Sequence, residues 1–119
     1  MVISGTDAAD RAGPAEVAEA TMRTLKAQVP AEVPGIAFLS GGQTAEEATL
    51  HLSLMNQMGA LPWELSFSYG RALQASPLSA WQGKEENFTA GQAALMKRAK
   101  LNSLAHNGKY DSAMEDEAA

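Results

Sequence analysis

Cysteine is absent from this 119-residue chain, which excludes a disulfide framework, thiolate metal ligation and thiol redox chemistry. That absence fits a reducing compartment, and a cytoplasmic location is the expectation. Long apolar runs are also missing: none approaches the ~20 residues that span a bilayer. The opening Met1-Val2-Ile3-Ser4-Gly5 lacks the basic and apolar regions of a secretory leader. The chain is therefore expected to work away from membranes and unexported. There is no basic run, and the net charge is −5, so nucleic acid is excluded as the main partner. Any phosphate bound here is small and held locally. Aromatic residues are only 6% of the chain, yet hydrophobic residues reach 45%, a globular level.

What the chain does contain is a pair of matching junctions. Gly35-Ile36-Ala37-Phe38-Leu39-Ser40-Gly41-Gly42-Gln43 and Glu64-Leu65-Ser66-Phe67-Ser68-Tyr69-Gly70-Arg71 each read as a short apolar strand running through small residues into a helix. Glycines there leave backbone N–H groups unobstructed at a helix N-terminus, where the dipole favours an anion. Arg71 adds a forked, permanent cation. Ser40, Gly41, Gly42, Ser68, Gly70 and Arg71 thus form a candidate phosphate grip, the arrangement that (β/α)8 barrels use after their last two strands. Two strands are too few for a stable parallel sheet covered on both faces, so the chain reads as part of something larger.

The elements around the junctions follow from spacing. Pro14 suits a first helical turn and predicts a helix over Ala15 to Gln28, with Val17, Ala20, Thr21, Thr24 and Leu25 inward. Ile36 to Leu39 reads as a strand covered on both faces. Thr44-Ala45-Glu46-Glu47 has capping-box spacing, predicting a helix from Thr44 to about Met58 with Ala48, Leu52 and Met55 inside and Gly59 as its stop. In the second strand Leu65 and Phe67 alternate with Ser66 and Ser68. A short helix after Arg71 is expected to end near Gln74, broken by Ser76-Pro77. Gly83 to Asn87 opens the longest helix, running to about Asn107 with Gly108 as its cap. Asp111 to Ala119 carries acids and no base and is expected to be a flexible, solvated tail beyond a body spanning 1–110.

Other chemistry is weak. His51 and His106 fall inside helices without a second ligand at metal spacing, so both read as structural and no metal site is expected. Glu46-Glu47 and Glu85-Glu86 sit in first turns, where acids complement the dipole, rather than forming a catalytic carboxylate pair. Glu64 starts a strand, at the end opposite the glycine turns, and reads as an ion-pair or capping residue. Lys26, Lys84, Lys97, Lys100 and Lys109 lie on helices or connections. None occupies residues 35–40 or 64–68, where a desolvated amine could form a Schiff base. No catalytic residue and no cofactor is assigned.

Together with Leu78-Ser79-Ala80-Trp81 and Gly108-Lys109-Tyr110, the two junction motifs resemble class I fructose-bisphosphate aldolase, in order and at matching spacing from about Val17 to Tyr110. The resemblance implies a partial TIM (β/α)8 barrel: the last strand–helix units and the C-terminal helix. It implies a glycolytic lyase that cleaves fructose 1,6-bisphosphate reversibly to dihydroxyacetone phosphate and glyceraldehyde 3-phosphate, usually as a homotetramer. It also implies that Ser40, Gly41 and Gly42 line one phosphate of the sugar while Ser68, Gly70 and Arg71 complete the grip. The family's Schiff-base lysine would lie on a strand just before Met1, so the chain alone is expected to be inactive. Met1 would then be an internal methionine. The acidic ending is similar to bacterial relatives and lacks the terminal tyrosine of animal forms. The alternative is a non-catalytic phosphate-binding or assembly fragment that docks with the rest of a barrel.

Overall fold

The computed structural model describes residues 1–117. Its elements, in order, are α1 (Pro14–Gln28), β1 (Gly35–Phe38), α2 (Ala45–Asn56), β2 (Glu64–Phe67), α3 (Arg71–Trp81) and α4 (Phe88–His106). Short 3₁₀ turns occupy Glu85–Asn87 and Ser112–Asp116. β1 and β2 pair in parallel, with Gly35 opposite Glu64 and Phe38 opposite Phe67. Strand, helix, parallel strand and helix in succession are the repeating unit of a (β/α) barrel.

α2 is the pivot. Thr44 caps it through a complete capping box, and Ala48, Leu52 and Met55 point inward, each 0% exposed. It packs against α1, α3, α4 and β2, so Leu52→Ala is expected to cost about 2–5 kcal/mol through lost transfer energy and a cavity. Leu65, Trp63, Tyr69, Leu101 and Ala105 complete the core around it. Asn56 ties three elements together, donating from Nδ2 to the carbonyls of Leu65 and Ala105, each at 3.2 Å.

Four expectations are corrected. The inward stripe of α1 is turned by one residue: Val17, Ala18, Thr21 and Met22 are buried and Thr24 is exposed, its hydroxyl back-bonding to Ala20. β1 is covered on one face only. Phe38 is buried, but Ala37 is exposed and Leu39 is 71% exposed, because no further layer covers that side. α3 does not break at Ser76-Pro77 but continues to Trp81. Proline there removes one helical hydrogen bond at a cost of roughly 3 kcal/mol, offset by packing on α4, where Gly91 lets the helices close. A Cβ on Gly91 would lie 3.0 Å from Trp81 Cβ and 3.5 Å from the Pro77 carbonyl oxygen.

The acidic C-terminal stretch is the fourth. Ala118 and Ala119 lie outside the described residues, but Asp111 to Asp116 folds back onto the body. Arg98, 3% exposed, donates from Nη1 to Glu115 at 2.6 and 2.8 Å and from Nη2 to Thr49 Oγ1 at 2.7 Å. The Tyr110 hydroxyl also donates to Glu115, at 2.8 Å. A buried guanidinium needs a counter-charge, and the tail supplies it. Against the cost of burial, Arg98 and Tyr110 hold the Glu115 carboxyl below its usual range.

Candidate functional site

The parallel register sets the geometry. One step beyond the paired strands, the Ser68 N–H donates to the Phe38 carbonyl at 2.8 Å, so the ladder continues into the second junction. Ser40, Gly41 and Gly42 leave the carboxyl end of β1, and Ser68, Gly70 and Arg71 leave the carboxyl end of β2, at one edge of the sheet. Barrels place ligands at this edge.

The first junction is closed by its own side chains. Gln43 N–H donates to the Ser40 carbonyl at 3.1 Å, making a tight turn in which Gly42 takes φ 73°. Thr44 Oγ1 accepts from the Glu47 N–H at 3.1 Å and Glu47 Oε2 accepts from the Thr44 N–H at 2.8 Å. With Glu46 and Glu47 in its first turn, α2 has already neutralised its positive end. What this junction can still offer an anion is the Gly41-Gly42 backbone and the Ser40 hydroxyl, on a residue 5% exposed.

The second junction is open. Gly70 at the start of α3 gives no side-chain cap, and the first turn carries no acid. The leading N–H groups of that helix lack intrahelical acceptors by construction. Arg71 is exposed and forms no ion pair among the described residues. Tyr69 anchors the junction from beneath: it is 5% exposed and its hydroxyl donates to the Ala48 carbonyl of α2 at 2.8 Å. Burial pushes that phenol up, so it stays a donor.

The glycines divide by cause. Gly42 is required by its positive φ, and a Cβ there would meet Ile3 Cδ1 at 2.8 Å. Gly41 and Gly70 have no positive φ, and a Cβ on either would meet nothing within 4 Å. Among the described residues, cavities of about 400 Å³ along α4 and about 560 Å³ beside α1 are lined by none of Ser40, Gly41, Gly42, Ser68, Gly70 and Arg71.

Of the histidines, His51 is buried and its Nδ1 lies 2.7 Å from Gln43 Oε1, a contact that places the proton on Nδ1. Desolvation lowers its pKa below the ordinary 6.5, partly offset by Glu47. His106 Nδ1 meets the Leu65 carbonyl at 2.7 Å and its Nε2 lies 3.7 Å from Glu64, so it braces β2. No cluster among the described residues could hold a metal ion. The helix-forming pattern did not reveal Arg11, whose Nη2 donates to the Gly42 carbonyl at 3.2 Å. No spacing signal links residues 31 apart through space.

The family model described as "Glycolytic: Fructose-bisphosphate aldolase class-I" matches residues 1–119. The chain is 56% identical over 119 residues to chloroplastic fructose-bisphosphate aldolase 1 of Chlamydomonas reinhardtii, covering 100% of this chain and 31% of that protein. It is 57% identical over 111 residues to fructose-bisphosphate aldolase B of Gallus gallus, covering 92% of this chain and 30% of that one. A solved Plasmodium falciparum fructose-bisphosphate aldolase, in a ternary complex with TRAP and a small-molecule inhibitor, superposes with a TM-score of 0.89 at 49% identity, over 93% of this chain and 32% of that chain. The chain thus spans about 30% of the length of the relatives it matches.

Proposed function

The chain belongs to the class I fructose-bisphosphate aldolase family, and from that premise we propose that its two junctions form a grip for one phosphate of a sugar bisphosphate. The observation that carries this is the uncapped, acid-free start of α3, with Arg71 at its first position, beside the Gly41-Gly42 turn. The turn's amides and the Ser40 hydroxyl donate from one side. Ser68, the Gly70 backbone and the Arg71 fork donate from the other, charge-assisted hydrogen bonds being the strong ones. The substrate is fructose 1,6-bisphosphate, with dihydroxyacetone phosphate as the product that keeps the same phosphate.

The reaction is the reversible lyase step of glycolysis, carried out by the complete barrel. Binding a phosphate positions the sugar but does not lower the barrier to carbon–carbon cleavage, which needs an amine to form the iminium. The lysines of this chain lie away from β1 and β2, so the chain by itself is inactive. A cytoplasmic location fits a cysteine-free chain, and cell fractionation would separate it from the chloroplast location of relatives such as the Chlamydomonas reinhardtii enzyme.

The test is thermal unfolding of the 119-residue chain with and without fructose 1,6-bisphosphate, since a ligand of the native state raises the midpoint by mass action. The midpoint rises in the unaltered chain, and the rise disappears in Arg71→Ala. An equal rise in both would remove the grip from these residues. A second reading, a fragment that docks with the rest of a barrel, is favoured by the two-stranded sheet and by Leu39, 71% exposed beside it. Co-purification with a separately expressed upstream barrel portion supports it, and a monodisperse monomer in that mixture removes it.

A further inference from the structure

The Ser40–Gln43 turn is held from three sides by groups outside the grip, and we infer that Arg11, carried on the N-terminal segment, is a positioning residue that sets the turn's amides for an oxyanion. Its Nη2 donates to the Gly42 carbonyl at 3.2 Å, while Nη1 reaches Glu47 Oε1 at 3.5 Å. Glu47 is also the reciprocal partner in the cap of α2. One guanidinium therefore couples the turn's last glycine carbonyl to the start of the helix. From below, buried Gln43 is fixed by His51 at 2.7 Å. From above, Ile3 Cδ1 lies 2.8 Å from the place a Gly42 Cβ would occupy.

The peptide between Gly42 and Gln43 is planar, and it is pinned at both ends. Its oxygen accepts from Arg11 and its N–H donates to the Ser40 carbonyl at 3.1 Å. Without the first pin, two adjacent glycines regain their wide conformational range, and an anion must order them on binding. The segment carrying Arg11 is itself fixed: the Val2 N–H donates to Thr21 Oγ1 and the Ala12 N–H to Ser4 Oγ, both at 2.9 Å. Arg11 bonds the Gly42 carbonyl and Glu47 rather than offering its fork to the turn's N–H side, so it acts through the turn.

This inference rests on the phosphate reading only for its ligand, and two measurements on the 119-residue chain separate the two. The first is amide hydrogen exchange at Gln43 without ligand, in the unaltered chain, Arg11→Ala and Arg11→Lys. The second is titration of the same three with fructose 1,6-bisphosphate, followed at the Gly41 and Gly42 amides. In Arg11→Ala, exchange at Gln43 speeds up and the dissociation constant rises, each by about fivefold, the scale of one lost hydrogen bond. Core amides such as Leu52 keep their protection. Arg11→Lys recovers part of both, because the cation is kept while the rigid two-nitrogen fork that meets Gly42 and Glu47 is lost. Unchanged Gln43 exchange in Arg11→Ala overturns the positioning role whatever the sugar does. Accelerated exchange with no saturable binding even in the unaltered chain overturns the phosphate reading and leaves Arg11 as a brace of the turn.

Discussion

The two junctions are built on the same plan and finished in opposite ways. After β1, the helix start is sealed by Thr44, Glu46 and Glu47, and the turn above it is pinned by Arg11 and by the Gln43–His51 pair. After β2, the helix start has no cap and no acid, and its first residue is a cation free of ion pairs among the described residues. α1 and α4 also lack a side-chain cap, so what sets the start of α3 apart is the cation Arg71 at its first position, at the carboxyl end of β2. In the proposed grip the first junction contributes shape and the second contributes charge. A phosphate needs both.

The comparison can be broken most severely by making the second junction resemble the first. Gly70→Asp places an acid at the open start of α3, where a Cβ meets nothing within 4 Å. Gly70 lies at φ −86°, ψ −81° rather than in the extended conformation of a capping residue, so the helix should gain little stability, while a carboxylate facing the anion should weaken fructose 1,6-bisphosphate binding by roughly a hundredfold. Paired denaturant melts and calorimetric titrations read the two effects. If binding survives, the open helix end is not the site. Next in size, Gly42→Ala should cost about 1–2 kcal/mol through its left-handed backbone, while Gly41→Ala should leave the melt unchanged and weaken only sugar binding. Equal stability losses at both positions would mean that the turn's glycines serve the fold alone.

Thr44→Ala removes the capping box and should cost about 1 kcal/mol, with little change in binding, because the cap faces the helix and not the anion; calorimetry on that variant checks both. The smallest effect is with pH. Since burial lowers the pKa of His51 below 6.5, the native state resists a proton that the unfolded chain accepts. Stability is therefore complete above 6.5, falls as pH drops below it, and levels off once the folded pKa is passed. A ring-proton titration by NMR should place the His51 midpoint below 6.5, and a midpoint above it would sink the assignment of a desolvated, neutral ring.

Much of this was legible in one dimension. Pro14, the Thr44-Ala45-Glu46-Glu47 cap and Gly108 mark real helix ends, and Ala48, Leu52 and Met55 were identifiable as core from their spacing. Local rules failed where a distant partner decided the outcome. α3 runs through Pro77 because α4 packs against it at Gly91, and the acidic tail folds back because Arg98 is buried without another anion. The apolar run of β1 indicated two covered faces, yet Ala37 and Leu39 have nothing over them. Periodicity records what a strand is suited to, not which neighbours are present. The same limit hid Arg11, whose link to Gly42 exists only through space.

The hydrogen bond from Ser68 to Phe38 has one more effect. It makes the sheet a gauge block between the jaws, since adjacent strands keep a spacing of ~4.8 Å and the two turns are mounted on neighbouring strands. In the proposed grip neither helix would have to travel to meet a tetrahedral oxyanion, so little freedom would be surrendered on capture.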